Sequence, residues 1–139
     1  MNSKNWVNRL ISSSGKTFEK QITSAANAGQ IDIGTVGGGS VIANVIIMSS
    51  NGSTTSDLNY ASITSGPAST PTVSTHINGP SDGLKAYIDA QGKQVGWTGV
   101  TYLKAGDKIV MNLNGTGATA VDLDVVVRYV ATTISGEIA

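Results

Sequence analysis

A single histidine, His76, sits in the stretch "TVSTHIN". As a general base it would need a nucleophile on one side and an orienting acid on the other. As a metal ligand it would need companions, and the chain has neither a second histidine nor any cysteine. Alternation across this stretch sets Val73, Thr75 and Ile77 on one face and His76 on the other, which predicts a surface or interface histidine. Asp122 and Asp124 are the next candidates. They project from one side of "TAVDLDVVVRYVAT" (residues 119–132), where a period of two separates Val121, Leu123, Val125, Val127 and Tyr129 from Asp122, Asp124, Val126 and Arg128. Two carboxylates on one face suit acid–base work, or calcium binding with further oxygen ligands. Arg128 shares their face and no Asp-x-Asp-x-Asp-Gly loop accompanies them, so they read as a solvated or intersubunit charge ladder. Tyr87, Trp97 and Tyr102 offer flat faces on which a sugar ring can stack, which makes them candidate glycan contacts.

Other motifs reduce to structure. "GTVGGGS" (residues 34–40) lacks the Gly-Lys-Ser/Thr ending of a phosphate loop and leads into a strand, not a helix N-terminus. No Gly-x-Ser-x-Gly elbow activates a serine. Asn51-Gly52-Ser53 and Asn114-Gly115-Thr116 match the glycosylation sequon, but Asn-Gly is also the preferred pair for a tight hairpin turn, and without a secretory signal both predict turns. Asp107 in "KAGDK" is a turn residue between two strands. These residues predict no catalytic site, no cofactor and no metal, and so a protein that is not an enzyme.

The elements around these residues read as β almost throughout. Gly, Ser, Thr, Asn, Ala and Val dominate, and long charged side chains are few. Alternating segments follow one another: "TFEKQIT", "QIDIGTV", "VIANVIIM", "DLNYASI", "TVSTHIN", "LKAYIDA", "WTGVTYL", "KIVMNLN" and the last strand quoted above. "VIANVIIM" (residues 41–48) is nearly continuous in apolar residues, which predicts a central strand buried on both faces. In "DLNYASI", Leu58, Tyr60 and Ser62 are expected together; in "LKAYIDA", Leu84, Ala86 and Ile88. Nine short strands separated by turn signals specify an all-β sandwich or barrel.

Residues 1–16 differ from the rest. Trp6, Val7, Leu10 and Ile11 recur at helical spacing, with Ser3 as N-cap and Gly15 as stop. The formal net charge of the chain is zero. Yet residues 1–20 hold Lys4, Arg9, Lys16 and Lys20 against Glu19 alone, so a basic leading arm precedes a mildly acidic body. A zero net charge argues against nucleic acid or a membrane surface as partner. The opening residues lack the apolar run of a secretory signal, so assembly in the cytoplasm is expected. The division is an arm (1–16) and one β-sandwich domain (17–139).

The ending "YLKAGDKIVMNLNGTGATAVDLDVVVRYV" pairs a Leu-x-x-Gly-Asp-x-Ile hairpin (Leu103, Gly106, Asp107, Ile109) with a final alternating strand. It resembles the last strands of trimeric jelly-roll modules in tailed-bacteriophage virion proteins, of the capsid decoration (cement) or head-fibre type. The tumour-necrosis-factor/C1q-like group shares the pattern. The resemblance implies a jelly-roll-like antiparallel β-sandwich, a homotrimer, and a non-enzymatic structural role on a virion assembled in the host cytoplasm. The partner it implies is a major capsid protein or other virion component; the arm's own apolar and basic residues, Lys4, Trp6, Val7, Arg9, Leu10, Ile11 and Lys16, are the candidate anchor for it. The alternative is a receptor- or carbohydrate-binding module of a phage fibre or spike, using Tyr87, Trp97 and Tyr102.

Overall fold

The computed structural model describes residues 16–26, 28–52, 58–116 and 119–139. Nine strands run through them: β1 (Lys16–Ala26), β2 (Gly29–Gly37), β3 (Val41–Ser50), β4 (Leu58–Gly66), β5 (Ser74–Ile77), β6 (Gln94–Leu103), β7 (Lys108–Gly115), β8 (Thr119–Ala131) and β9 (Glu137–Ile138). They form two antiparallel sheets, one ordered β1-β8-β3-β6 and the other β5-β4-β7-β2-β9. The pairing is nested: β1 with β8, β2 with β7, β3 with β6, β4 with β5. A long antiparallel hairpin of this kind rolls up when β3 also pairs with β8 and β4 with β7. That is the jelly roll, eight strands in two packed sheets with β9 added at one margin.

Hydrophobic alternation drives the closure. Val121, Leu123, Val125 and Val127 of β8 are fully buried, as are Ile46 and Met48 of β3, Ile63 of β4 and Met111 of β7. Each strand thus gives one face to a shared core between the sheets. β3 is central, as its sequence predicts, but it is not buried on both faces. Only Val41, Ala43, Ile46, Met48 and Ser50 are buried, while Ile42, Val45 and Ile47 face outward and are half covered. Asn44 is the extra residue where β3 slips by one position against β8, and such a bulge lets two neighbours share a face.

Three local expectations are corrected. Residues 84–90 are not a strand. Leu84 makes one isolated bridge to Tyr60, and Lys85–Tyr87 then form a 3-10 turn, with Tyr87 N–H donating to Leu84 O at 2.9 Å. The chain must leave one sheet here to reach the other, and only Ile88 of the segment is buried. In β4, a register shift between Leu58 and Tyr60 turns Ala61, Ile63 and Ser65 inward, so Tyr60 and Ser62 do not share the face of Leu58. Asn114-Gly115 is no tight turn, because β7 runs on through Gly115 to pair with Leu58. Asn114 Oδ1 instead accepts a hydrogen bond from Asn59 at 2.9 Å.

The glycine-rich loop serves backbone packing. Gly38 adopts φ 69°, and a Cβ there would lie 2.1 Å from the carbonyl oxygen of Ser135. Glycine lets the chain after β8 press against the β2–β3 loop. Ser40 then receives the Thr132 N–H and donates its own N–H to Thr133 Oγ1, at 2.9 and 3.0 Å.

Candidate functional site

His76 lies on β5, a four-residue strand at the margin of its sheet. Its ring is buried, contrary to the surface position that alternation predicts. The cause is a bulge. Ile77 pairs with Ile63 and Thr75 with Thr64, so His76 is an extra residue opposite no partner, and it turns inward alongside Ile77. Inside, Nε2 of His76 and Oγ of Ser65 share a hydrogen bond of 2.7 Å. The Trp97 ring meets the imidazole edge-on, with centroids 4.5 Å apart. Burial pushes the imidazole pKa below its ordinary value, so the neutral ring is favoured. A serine beside a histidine invites comparison with a nucleophile–base pair. Ser65 is 1% exposed, however, and among the described residues no carboxylate hydrogen-bonds His76 to orient it. A substrate could reach the hydroxyl only by opening the core. The pair satisfies two buried polar groups.

Asp122 and Asp124 lie on the outer face of the β1-β8-β3-β6 sheet, as the alternation predicts, both half-buried and with Arg128 exposed beyond them. Asp124 accepts a hydrogen bond from Asn51 Nδ2 at 2.6 Å, which ties β8 to the end of β3. An open depression of about 330 Å³ lies beside it, between Glu19, Gln21, Ser49 and Asp124. Asp107 caps its turn: its carboxylate accepts the Lys104 N–H at 3.0 Å, and Gly106 supplies φ 95°. Val36 locks this turn to β2 by accepting the Gly106 N–H and donating to Asp107 O. The Leu-x-x-Gly-Asp-x-Ile pattern is therefore a structural hairpin, with Leu103 and Ile109 buried on either side.

The three aromatic candidates do not share one face. Trp97 points inward from β6 to His76 and the core. Tyr102, an odd number of residues away, points outward at 62% exposure and donates its hydroxyl to Ser40 Oγ at 2.9 Å. Tyr87 stands exposed on the 3-10 turn. Of the anchor candidates, Lys16 opens β1 opposite Tyr129 and so belongs to the sandwich. Lys4, Trp6, Val7, Arg9, Leu10 and Ile11 lie outside the described residues.

The two outer faces differ in chemistry. On the β5-β4-β7-β2-β9 sheet, polar side chains hydrogen-bond across strands. Gln30 donates to Asn112, Asn112 to Thr64 and Lys108 to Asp32, all between 2.9 and 3.0 Å. On the other sheet the centre is apolar, with Ile42, Val45 and Ile47 of β3 beside Val126 and Val130 of β8 and the exposed Val100 of β6. Sequence reasoning identified the alternation but not which outer face is dry, because strand order decides that.

No protein-family model and no curated protein matches the chain. Among solved structures it is similar to an IMPa metallopeptidase in complex with T-antigen, at 18% identity and TM-score 0.36, over 85% of this chain and 13% of that one. It is also similar to a chain of infectious bursal disease virus Gt strain, at 11% identity and TM-score 0.34, over 91% of this chain and 38% of that one. The VP2 subviral particle of infectious bursal disease virus gives 13% identity and TM-score 0.32, over 91% of this chain and 37% of that one. The chain thus spans well under two thirds of each of these proteins.

Proposed function

We propose that this chain is a non-enzymatic structural protein of a virion, an oligomeric decoration (cement) protein held on a capsid by its N-terminal arm. The observation that carries this reading is the filled interior. Some jelly rolls work through a cavity between their sheets, but here that space holds Ile46, Met48, Ile63, Ile109, Met111 and Leu123, all fully buried. The one histidine is used up in a buried polar pair. What is left to act is surface, and a surface without clustered chemistry serves adhesion. The fold by itself does not choose among such roles; the basic, apolar arm and the virion-type ending of the sequence support attachment to a shell. In the glycan-binding alternative a groove lined by Tyr87, Trp97 and Tyr102 is required, and Trp97 faces the core.

The test compares intact protein with a form lacking residues 1–15, by thermal unfolding and by co-sedimentation with capsids. The expected result is a folded body that no longer co-sediments. Trp6→Ala alone should weaken attachment by about 2 kcal/mol, the size of an anchoring aromatic in a pocket. Full co-sedimentation of the truncated form would refute the arm as anchor.

A further inference from the structure

β6 is a sheet margin unlike the other three. A marginal strand exposes a row of unpaired N–H and C=O groups, and proteins guard such rows with charge, shortness, bulges or proline. β1, at the opposite margin of the same sheet, carries Lys16, Glu19 and Lys20. β5 has four residues and a bulge at His76, and β9 has two residues. β6 has ten residues, "QVGWTGVTYL", with no charge and no proline; its one irregularity is an extra residue between Thr98 and Thr101 against Ala43–Val45 of β3, and its side chains keep alternating through it. Among the described residues its backbone pairs with β3 alone, and no turn or loop bond reaches its outer side. Its inward-facing residues Val95, Trp97, Gly99 and Thr101 are only half-buried, and among the described residues nothing closes the sandwich beyond them. Its outward Val100 and Tyr102 are 78% and 62% exposed.

We infer that β6 pairs edge to edge with β6 of a second copy of this chain, joining the two four-stranded sheets into one continuous sheet. Water or another strand can satisfy a row of backbone donors and acceptors, and β6 is the long margin without charge or proline that this protein offers to itself. An antiparallel two-fold pairing is self-complementary. Centred on Gly99, it sets Val100 against the copy's Thr98 and Tyr102 against its Gly96, on the outer face. On the inner face it sets Trp97 against Thr101 and Val95 against Leu103. β-branched pairs and an aromatic laid over a glycine are favourable cross-strand neighbours. The same contact closes the flank over Val95 and Trp97. This goes beyond the virion reading, since it needs no capsid and would stand if the chain decorated something else.

The test is the mass of the full-length protein in solution, with hydrogen exchange as a second readout. Light scattering at tens of micromolar should give twice the 14.2 kDa of one chain. Val100→Lys places a charge on an exposed position of the margin; it should return the protein to monomer mass with circular dichroism unchanged and a melting temperature that no longer depends on concentration. In the unsubstituted protein, β6 amides should be protected at high concentration and lose that protection on dilution. A monomer throughout, a three-chain species with no dimer, or β6 exchange independent of concentration would each overturn the inference.

Discussion

Ser65→Ala tests whether the buried pair is structural. The substitution removes one oxygen and almost no volume, so little cavity is created and the effect reads on hydrogen bonding. Ser65 Oγ lies 2.7 Å from Nε2 of His76, and both residues are buried. Without the hydroxyl, Nε2 loses the partner it has in the folded state while keeping water as a partner in the unfolded one. A buried polar group left unsatisfied costs about 1–3 kcal/mol, and the hydroxyl's own desolvation, no longer required, returns part of that. A net loss of about 1.5 kcal/mol is expected, which for a domain of this size lowers the melting temperature by roughly 4–8 °C. Unfolding followed by circular dichroism at pH 8, where the imidazole is neutral in both states, isolates this term from titration. His76→Phe in the Ser65→Ala background removes the stranded nitrogen, so the double variant should recover much of the loss, with a coupling of about 1 kcal/mol. A single variant within about 0.5 kcal/mol of the parent, or a strictly additive cycle, would refute the reasoning, because residues not sharing a network add.

Two further outcomes follow from the same structure. Burial lowers the His76 pKa below its ordinary 6.5, so as pH falls the unfolded chain takes up this proton first. Stability should therefore hold above pH 6.5 and decline below it until the folded imidazole itself protonates; His76→Phe should flatten that decline in urea titrations between pH 8 and 5.5. Asp107→Ala removes the acceptor for the Lys104 N–H and should cost about 1 kcal/mol, more than the same change at the exposed Glu137, as measured by thermal unfolding.

Strand identity was legible because two signals agree over most of the chain. β-branched residues alternate with polar ones, and Gly, Asn and Ser punctuate the runs. Eight of the expected segments are strands. Residues 84–90 deceived because Leu84, Ala86 and Ile88 alternate as a strand would, yet the chain there is crossing between sheets and meets a neighbour only at Tyr60. Faces failed wherever a bulge intervened. The shifts at Leu58/Tyr60 and at His76 each reverse which side chains turn inward, and nothing in "DLNYASI" or "TVSTHIN" marks them, since a bulge is set by the register of the partner strand. The nested pairing was equally hidden. β1 meets β8 across more than a hundred residues of sequence, and such contacts leave no local trace.

For the candidate site the division runs along the same line. The outward placement of Asp122, Asp124 and Arg128 was readable, because β8 keeps strict alternation over the buried Val121 to Tyr129. The Ser65–His76 pair was not, because it joins two strands through a bulge. The absence of charge in "QVGWTGVTYL" is visible to any reader of the sequence, but it carries no meaning until strand order is known. In the middle of a sheet, such a strand would be ordinary core. At the margin, beside β3 on one side and nothing described on the other, the same ten residues become an uncharged template for pairing. Selection against aggregation would be expected to place a lysine or a proline there, as it has placed lysines on β1. That one ten-residue margin is left without a charge or a proline is the physical reason to look for a second chain at β6.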